Sequence, residues 1–95
     1  MRKFENDDLG FKKWFDGNGH KGYILNLPNE AMKTNLKGYM LHHTNCNSIP
    51  PKKQVFGEGM TNNFYKWWDL DKNKLITECV KARGVKPNIC KKCKP

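Results

Sequence analysis

Long apolar runs are missing from this sequence: no stretch approaches the roughly 18 apolar residues that a membrane-spanning helix requires. Residues 1–8 carry charges of both signs and no apolar segment, so they do not predict a signal peptide. These two absences favour a cytoplasmic protein. In a reducing compartment, a group of cysteines is more often a metal site than a set of disulfides.

Apolar side chains are also scarce, at 37% of the chain with a mean hydropathy of −0.88. A chain of this length buries only about two-thirds of its extended surface. We therefore expect residues 1–95 to form a single domain with one small core. Aromatic rings supply part of the missing apolar area, but such a domain still gains from a metal or another cross-link.

Acidic residues and arginine are also few in this sequence. The chain has 18 basic and 9 acidic side chains, and 16 of the basic ones are lysine. Residues 1–49 hold seven basic and five acidic side chains, whereas residues 50–95 hold eleven and four. Such an excess predicts a polyanionic partner, most often nucleic acid, although solubility alone is an alternative. Lysines act as point charges that suit phosphate backbones and read bases poorly.

Periodicity and turn residues predict a small α+β domain. It consists of a short N-terminal helix, a three-stranded antiparallel sheet, and a C-terminal helix that leads to a Cys-x2-Cys knuckle. Asn6 or Asp7 caps the first helix, and Gly84 ends the second after it begins at Asp69 or Asp71. The predicted elements are a helix at 6–17, strands at 22–27, 38–43 and 63–68, and a helix ending near Arg83.

Two pairs of candidate ligands with different spacing carry the metal-binding signal. Cys90 and Cys93 form Cys-x2-Cys, in which a tight turn aims both sulfurs at one ion. His42 and Cys46 form His-x3-Cys at the end of a predicted strand, where the chain turns. Together they make a Cys3His set that closes a tetrahedral zinc site. The sequence therefore predicts one structural zinc ion.

Three alternatives stand beside this assignment. His43 also has good ligand spacing to Cys46, and only one of the two adjacent histidines reaches the metal, because neighbouring strand residues face opposite ways. Cys79 falls on the apolar stripe of the C-terminal helix and is interpreted as a buried thiol. In a secreted protein, the four cysteines would instead form two disulfides.

Residues 38–95 resemble the Ada-type zinc-binding domain. The resemblance lies in Leu41–Ile49, with its His-x3-Cys element, and in Ala82–Pro95, with its helix end and Cys-x2-Cys-x-Pro. It implies zinc binding and DNA contact, and it favours His42 over His43 as the ligand. Two residues, Asn88 and Ile89, separate Pro87 from Cys90 where the family pattern is tighter. Methyl-accepting members of that family have a nucleophilic cysteine in the first position, so the resemblance does not extend to repair chemistry here.

The sequence thus predicts a non-enzymatic, zinc-stapled module that binds nucleic acid, with DNA favoured, through the phosphate backbone. The residues expected to contact nucleic acid are His43, Lys52, Lys53, Lys81, Arg83, Lys86, Lys91, Lys92 and Lys94.

Two other functions compete with this one. The first is a protein-interaction adaptor that presents an exposed aromatic sheet face formed from Phe64, Tyr65, Trp67 and Trp68. The second is an HNH-like nuclease built on His42 and His43, for which Asn73 would have to replace a missing later histidine.

Overall fold

The computed structural model describes residues 1–18, 21–46 and 61–95, and these ranges form an α+β domain with two helices and a five-stranded mixed sheet. The predicted fold class is therefore confirmed. The elements are β1 (Arg2–Phe4), α1 (Asp8–Asn18), β2 (Tyr23–Pro28), β3 (Met40–His43), β4 (Phe64–Asp69), α2 (Lys72–Arg83) and β5 (Asn88–Ile89). Two short 3-10 turns, Glu30–Met32 and Leu36–Gly38, connect β2 to β3.

The strand order is β1-β4-β2-β3-β5. The three predicted strands form its centre: β2 pairs antiparallel with β3 on one side and with β4 on the other. The predicted three-stranded antiparallel sheet is extended at both edges, by β1 antiparallel to β4 and by β5 parallel to β3. These edge strands have three and two residues, too few for an alternating pattern to be visible in the sequence.

The two helices cover opposite faces of the sheet. Ile24 packs with Phe4, Phe11 and Trp14 beneath α1. Its neighbour Leu25 belongs to the other core cluster, which includes residues of α2. Successive residues of a strand point to opposite faces, so each face of β2 contributes to its own core.

The aromatic residues of β4 belong to these two cores. Trp67 is 3% exposed, and Tyr65 packs against the same cluster beneath α2. Trp68 lies on the other face against Trp14, with ring centroids 5.0 Å apart. Trp67 is thus buried, whereas Phe64, Tyr65 and Trp68 are half-buried, and the rings of Tyr65 and Trp68 pack against the cores on opposite faces of the sheet.

Local capping fixes where the helices begin and end. The Asp7 side chain accepts a hydrogen bond from the Gly10 N–H at 3.0 Å, as the cap of α1. Asp71 accepts from the Asn73 N–H at 2.9 Å and caps α2. Gly84 ends α2 at a φ of 66°, in the left-handed region that glycine adopts at little cost. No helix in the described ranges is long and apolar enough to cross a bilayer.

Candidate metal centre

The structure brings the four predicted metal ligands into one cluster. The ligand atoms of His42, Cys46, Cys90 and Cys93 all lie within 4.8 Å of one another. His42, Cys46 and Cys90 are buried and Cys93 is half-buried. All four cysteines of the chain are free thiols, including Cys79 in the core beneath α2. The cluster is thus a candidate site for a metal ion.

The first pair of ligands is positioned by β3 and the turn that follows it. His42 pairs with Ile24 in the sheet, so its side chain lies on the α1 face. The turn is held by hydrogen bonds from Thr44 N–H to the Gly22 carbonyl at 3.1 Å and from Cys46 N–H to the His43 carbonyl at 3.0 Å. This turn brings Cys46 back toward the end of the strand.

The second pair follows β5, which runs parallel to β3. The Asn88 N–H donates to the Tyr39 carbonyl at 2.8 Å, and the Cys90 N–H donates to the Leu41 carbonyl at 3.0 Å. The carboxyl ends of two adjacent parallel strands therefore lie at the same edge of the sheet, and each is followed by one pair of ligands. Asn88 and Ile89, the two residues additional to the Ada-type pattern, form β5 itself.

The dimensions of the cluster fit a tetrahedral site. Zinc–sulfur bonds of about 2.3 Å give a sulfur–sulfur edge of about 3.8 Å. The Sγ atoms of Cys46 and Cys90 are 3.9 Å apart. The Nδ1 atom of His42 is buried and has no hydrogen-bond partner within the described ranges. Because buried polar atoms nearly always have a bonding partner, the lack of one at this nitrogen fits a metal ligand.

Burial sets the protonation of the histidine. Desolvation, assisted by the charge of Lys66, lowers the pKa of His42 to about 4. The imidazole is therefore neutral near pH 7, which is the form that binds metal ions. Lys66 itself is buried and donates to Asn26 Oδ1 at 2.5 Å. Desolvation lowers its pKa to about 8, although the negative charge of Asp8 acts in the opposite direction.

The thiols have opposite shifts in pKa. Burial raises the pKa of Cys90, but the N–H groups of Cys93 and Lys92 and the thiols of Cys93 and Cys46 together lower it by more, so the net shift is downward. Burial and contact with Cys46 and Cys90 raise the pKa of Cys93 to about 12, although its Sγ accepts the His43 N–H at 3.2 Å. Three thiols this close cannot all ionise without a neighbouring cation. A divalent metal would supply that charge.

The two adjacent histidines have different surroundings. The ring of His43 lies against Tyr23 with centroids 4.9 Å apart, and Tyr23 packs on the core beneath α2. The structure therefore places His42 in the cluster and His43 on the opposite face. His43 contacts the cluster through its backbone N–H, the kind of outer interaction that orients a thiolate ligand.

The predicted nucleic-acid contacts other than His43 fall into three groups. Lys81, Lys86, Lys91, Lys92 and Lys94 are exposed. Lys52 and Lys53 lie outside the described residues. Arg83 differs: its side chain is 5% exposed, and its guanidinium donates to the Tyr39 hydroxyl at 3.2 Å and pairs with Glu30 at 3.5 Å. It is thus a structural residue between α2 and the β2–β3 connection, and it is not part of the exposed basic surface.

The nuclease alternative combines Asn73 with His42 and His43. Asn73 lies in the first turn of α2 and lines a cavity with Met1 and Asp69. His42 lines a different groove, with Cys90 and Lys92. Asn73 and His42 therefore line different cavities.

Two residues near the site were missed by the sequence analysis. Lys66 is a charged residue within a predicted strand of aromatic residues, and its place in that strand was a sequence signal of a buried polar contact. Lys37 lies near His42 but far from Cys90 and Cys93 in sequence, yet it lines the same groove as Lys91. No local pattern marks it, because the fold alone brings it there.

Comparisons of the chain with protein families, with curated proteins and with solved structures give no significant match.

Proposed function

We propose that this chain is a structural-zinc module that binds nucleic acid, DNA in preference, mainly through the phosphate backbone. Zinc would join the turn after β3 to the C-terminal knuckle. The lysines around that knuckle would contact phosphates.

Zinc is the metal that best suits the donor set. Three thiolates and one neutral imidazole are soft and borderline ligands that favour zinc over magnesium or calcium. Four protein ligands fill a tetrahedral shell and leave no coordination position for a substrate. The resemblance to the Ada-type domain supports the same metal, and His42 in the first position supports a structural ion without methyl transfer.

The observation that carries the nucleic-acid proposal is the arrangement of charge at the knuckle. Lys91, Lys92 and Lys94 are exposed and alternate with the ligands Cys90 and Cys93. A divalent ion bound by three thiolates and one imidazole forms a centre of net charge −1, so these three lysines dominate the local field. Clustered exposed lysines are the electrostatic pattern of phosphate binding.

Fluorescence anisotropy with a labelled DNA duplex, across a salt series from about 50 to about 200 mM, tests this proposal. We expect log affinity to fall linearly with log salt concentration. Replacing Lys91, Lys92 and Lys94 by glutamine lowers the slope by up to about 2.7, because each duplex phosphate contact contributes about 0.9. The control variant Lys12→Gln/Lys13→Gln alters exposed lysines of α1 and leaves the slope unchanged. If the zinc-loaded protein binds neither duplex nor single-stranded DNA at about 50 mM salt, the proposal is wrong.

A further inference from the structure

A groove of about 650 Å³ adjoins the candidate metal centre at the β5 edge of the sheet. Its basic lining comes from Lys37, Lys91 and Lys92, and its apolar lining includes Met40 and Ile89. The ligands His42 and Cys90 also contribute to its wall. The groove therefore combines three cations and an apolar surface on a frame that a metal would hold rigid.

The charge of this groove separates it from two other cavities on the described surface. The cavity at the start of α2 is lined by Asp69, Asp71 and Glu78, and the one beside the 3-10 turns includes Glu30. No acidic side chain lines the β5 groove within the described ranges. The groove is therefore electrostatically complementary to an anionic ligand.

The backbone of β5 adds a hydrogen-bond donor to the groove. Asn88 and Cys90 direct their N–H groups to β3. The N–H of Ile89, between them, points away from β3 because successive strand residues alternate in direction. The Ile89 side chain is 45% exposed. Because Ile89 pairs with Leu41, its side chain lies on the α2 face, whereas Met40 lies on the same face as His42. The groove therefore takes an outward N–H from Ile89 and its apolar side chain from Met40, beside the flanking lysines.

We propose that this groove binds a single strand of nucleic acid, with phosphates at Lys37, Lys91 and Lys92 and an unpaired base against Met40. The inference rests on the proposed function and specifies its site and strandedness. A duplex presents phosphates to such a surface, but its bases are stacked and paired and cannot reach an apolar lining. Single strands offer both groups at once.

An added peptide strand fits the same edge less well. β5 has only two residues, and lysines flank it. Short edge strands bordered by lysine are the usual means by which proteins prevent strand addition. The groove therefore favours a ligand recognised through phosphate charge and base contact over one recognised through a ladder of backbone hydrogen bonds.

Anisotropy measurements with a 12-nucleotide DNA single strand, the matching RNA and the DNA duplex test the inference on the zinc-loaded protein. We expect both single strands to bind more tightly than the duplex. Lys91→Gln/Lys92→Gln lowers the single-strand salt slope by about 1.4, because each contact contributes about 0.7. Met40→Ser weakens single-strand binding by about fivefold, through lost apolar burial, and leaves duplex binding unchanged.

The matched control is Lys12→Gln/Lys13→Gln, which removes two exposed lysines of α1 that do not line the groove. Circular dichroism and zinc content confirm that each variant is folded and loaded. An equal loss of slope in the control, or tighter binding of the duplex, overturns the groove assignment and leaves the proposed function intact. If an oligoglutamate of the same charge displaces the bound single strand equally well, the groove assignment is also overturned, because the groove would then recognise charge without a base. If the unaltered protein binds no nucleic acid at about 50 mM salt, the proposed function fails and the inference with it.

Discussion

Cys79 and Cys90 show how the surroundings of a residue decide what the same side chain does. Cys79 is fully buried beneath α2, donates its S–H to the Val85 carbonyl at 3.2 Å, and has a pKa raised by burial to about 11. Cys90 accepts two backbone N–H groups, and its pKa is lowered. The first environment keeps a thiol neutral, whereas the second stabilises the thiolate that a metal needs.

The raised pKa of Cys79 predicts a loss of stability at high pH. An unfolded cysteine ionises near pH 9.0, but folded Cys79 does so near 11. Between these values the unfolded state binds fewer protons, so the free energy of unfolding falls as pH rises. We expect this group to remove about 2 kcal/mol across the interval. Urea denaturation of the protein and of Cys79→Ser at pH 8.5 and pH 10.5 measures it. An equal fall in both proteins would contradict the prediction.

At the scale of residues, the features that depend on neighbours close along the chain could be predicted from the sequence. The spacing of His42 and Cys46 and of Cys90 and Cys93 gave the cluster, because ligand type and turn length are visible in a short window. Sequence reasoning failed for Arg83, whose charge suggested a phosphate contact. Its partner Tyr39 lies 44 residues away, and only the packing of α2 against the 3-10 turns brings the two together.

At the scale of elements, the connection from α2 to the knuckle determines where the second ligand pair lies. α2 ends at Gly84, and the chain then reaches β3 and forms β5 before Cys90. β5 could not be predicted from the sequence, because two residues carry no periodicity and become a strand only by pairing with β3. The central strands and both helices were predictable, since their apolar periodicity and caps span several turns or alternations.

The left-handed end of α2 is testable by substitution. Gly84 has a φ of 66°, and an added Cβ would meet no atom within 4 Å. The cost of Gly84→Ala is therefore one of backbone conformation alone, about 1 kcal/mol. Gly84→Asn costs less, because asparagine tolerates this conformation better. Chemical denaturation of the three proteins gives the comparison, and zinc content should not change. Equal stabilities of the glycine and alanine proteins would contradict the assigned cap.

At the scale of the whole molecule, the candidate metal centre joins parts of the chain that otherwise share few contacts. The core beneath α1 draws on β1, α1 and β2, and the core beneath α2 draws on β2, β3, β4 and α2. The knuckle contributes no residue to either described core. Within the described ranges, it is held by the short β5 pairing and by the ligand cluster. A metal ion at the candidate centre would thus add a second tie, besides the β5 pairing, between the C-terminal segment with its lysines and the sheet.

Removal of the metal should therefore release the knuckle and destabilise the domain. We expect one zinc ion per chain, and a fall in Tm of at least about 10 °C when a strong chelator removes it, because small domains lose several degrees for each kcal/mol. Cys90→Ser should bind zinc weakly and reproduce the low Tm without chelator. Cys79→Ser, the same change at a cysteine outside the cluster, should keep its zinc and its response to chelator. Elemental analysis and calorimetry measure both quantities, and a Tm that is indifferent to chelation would show that the sheet and its two cores hold the fold without the ion.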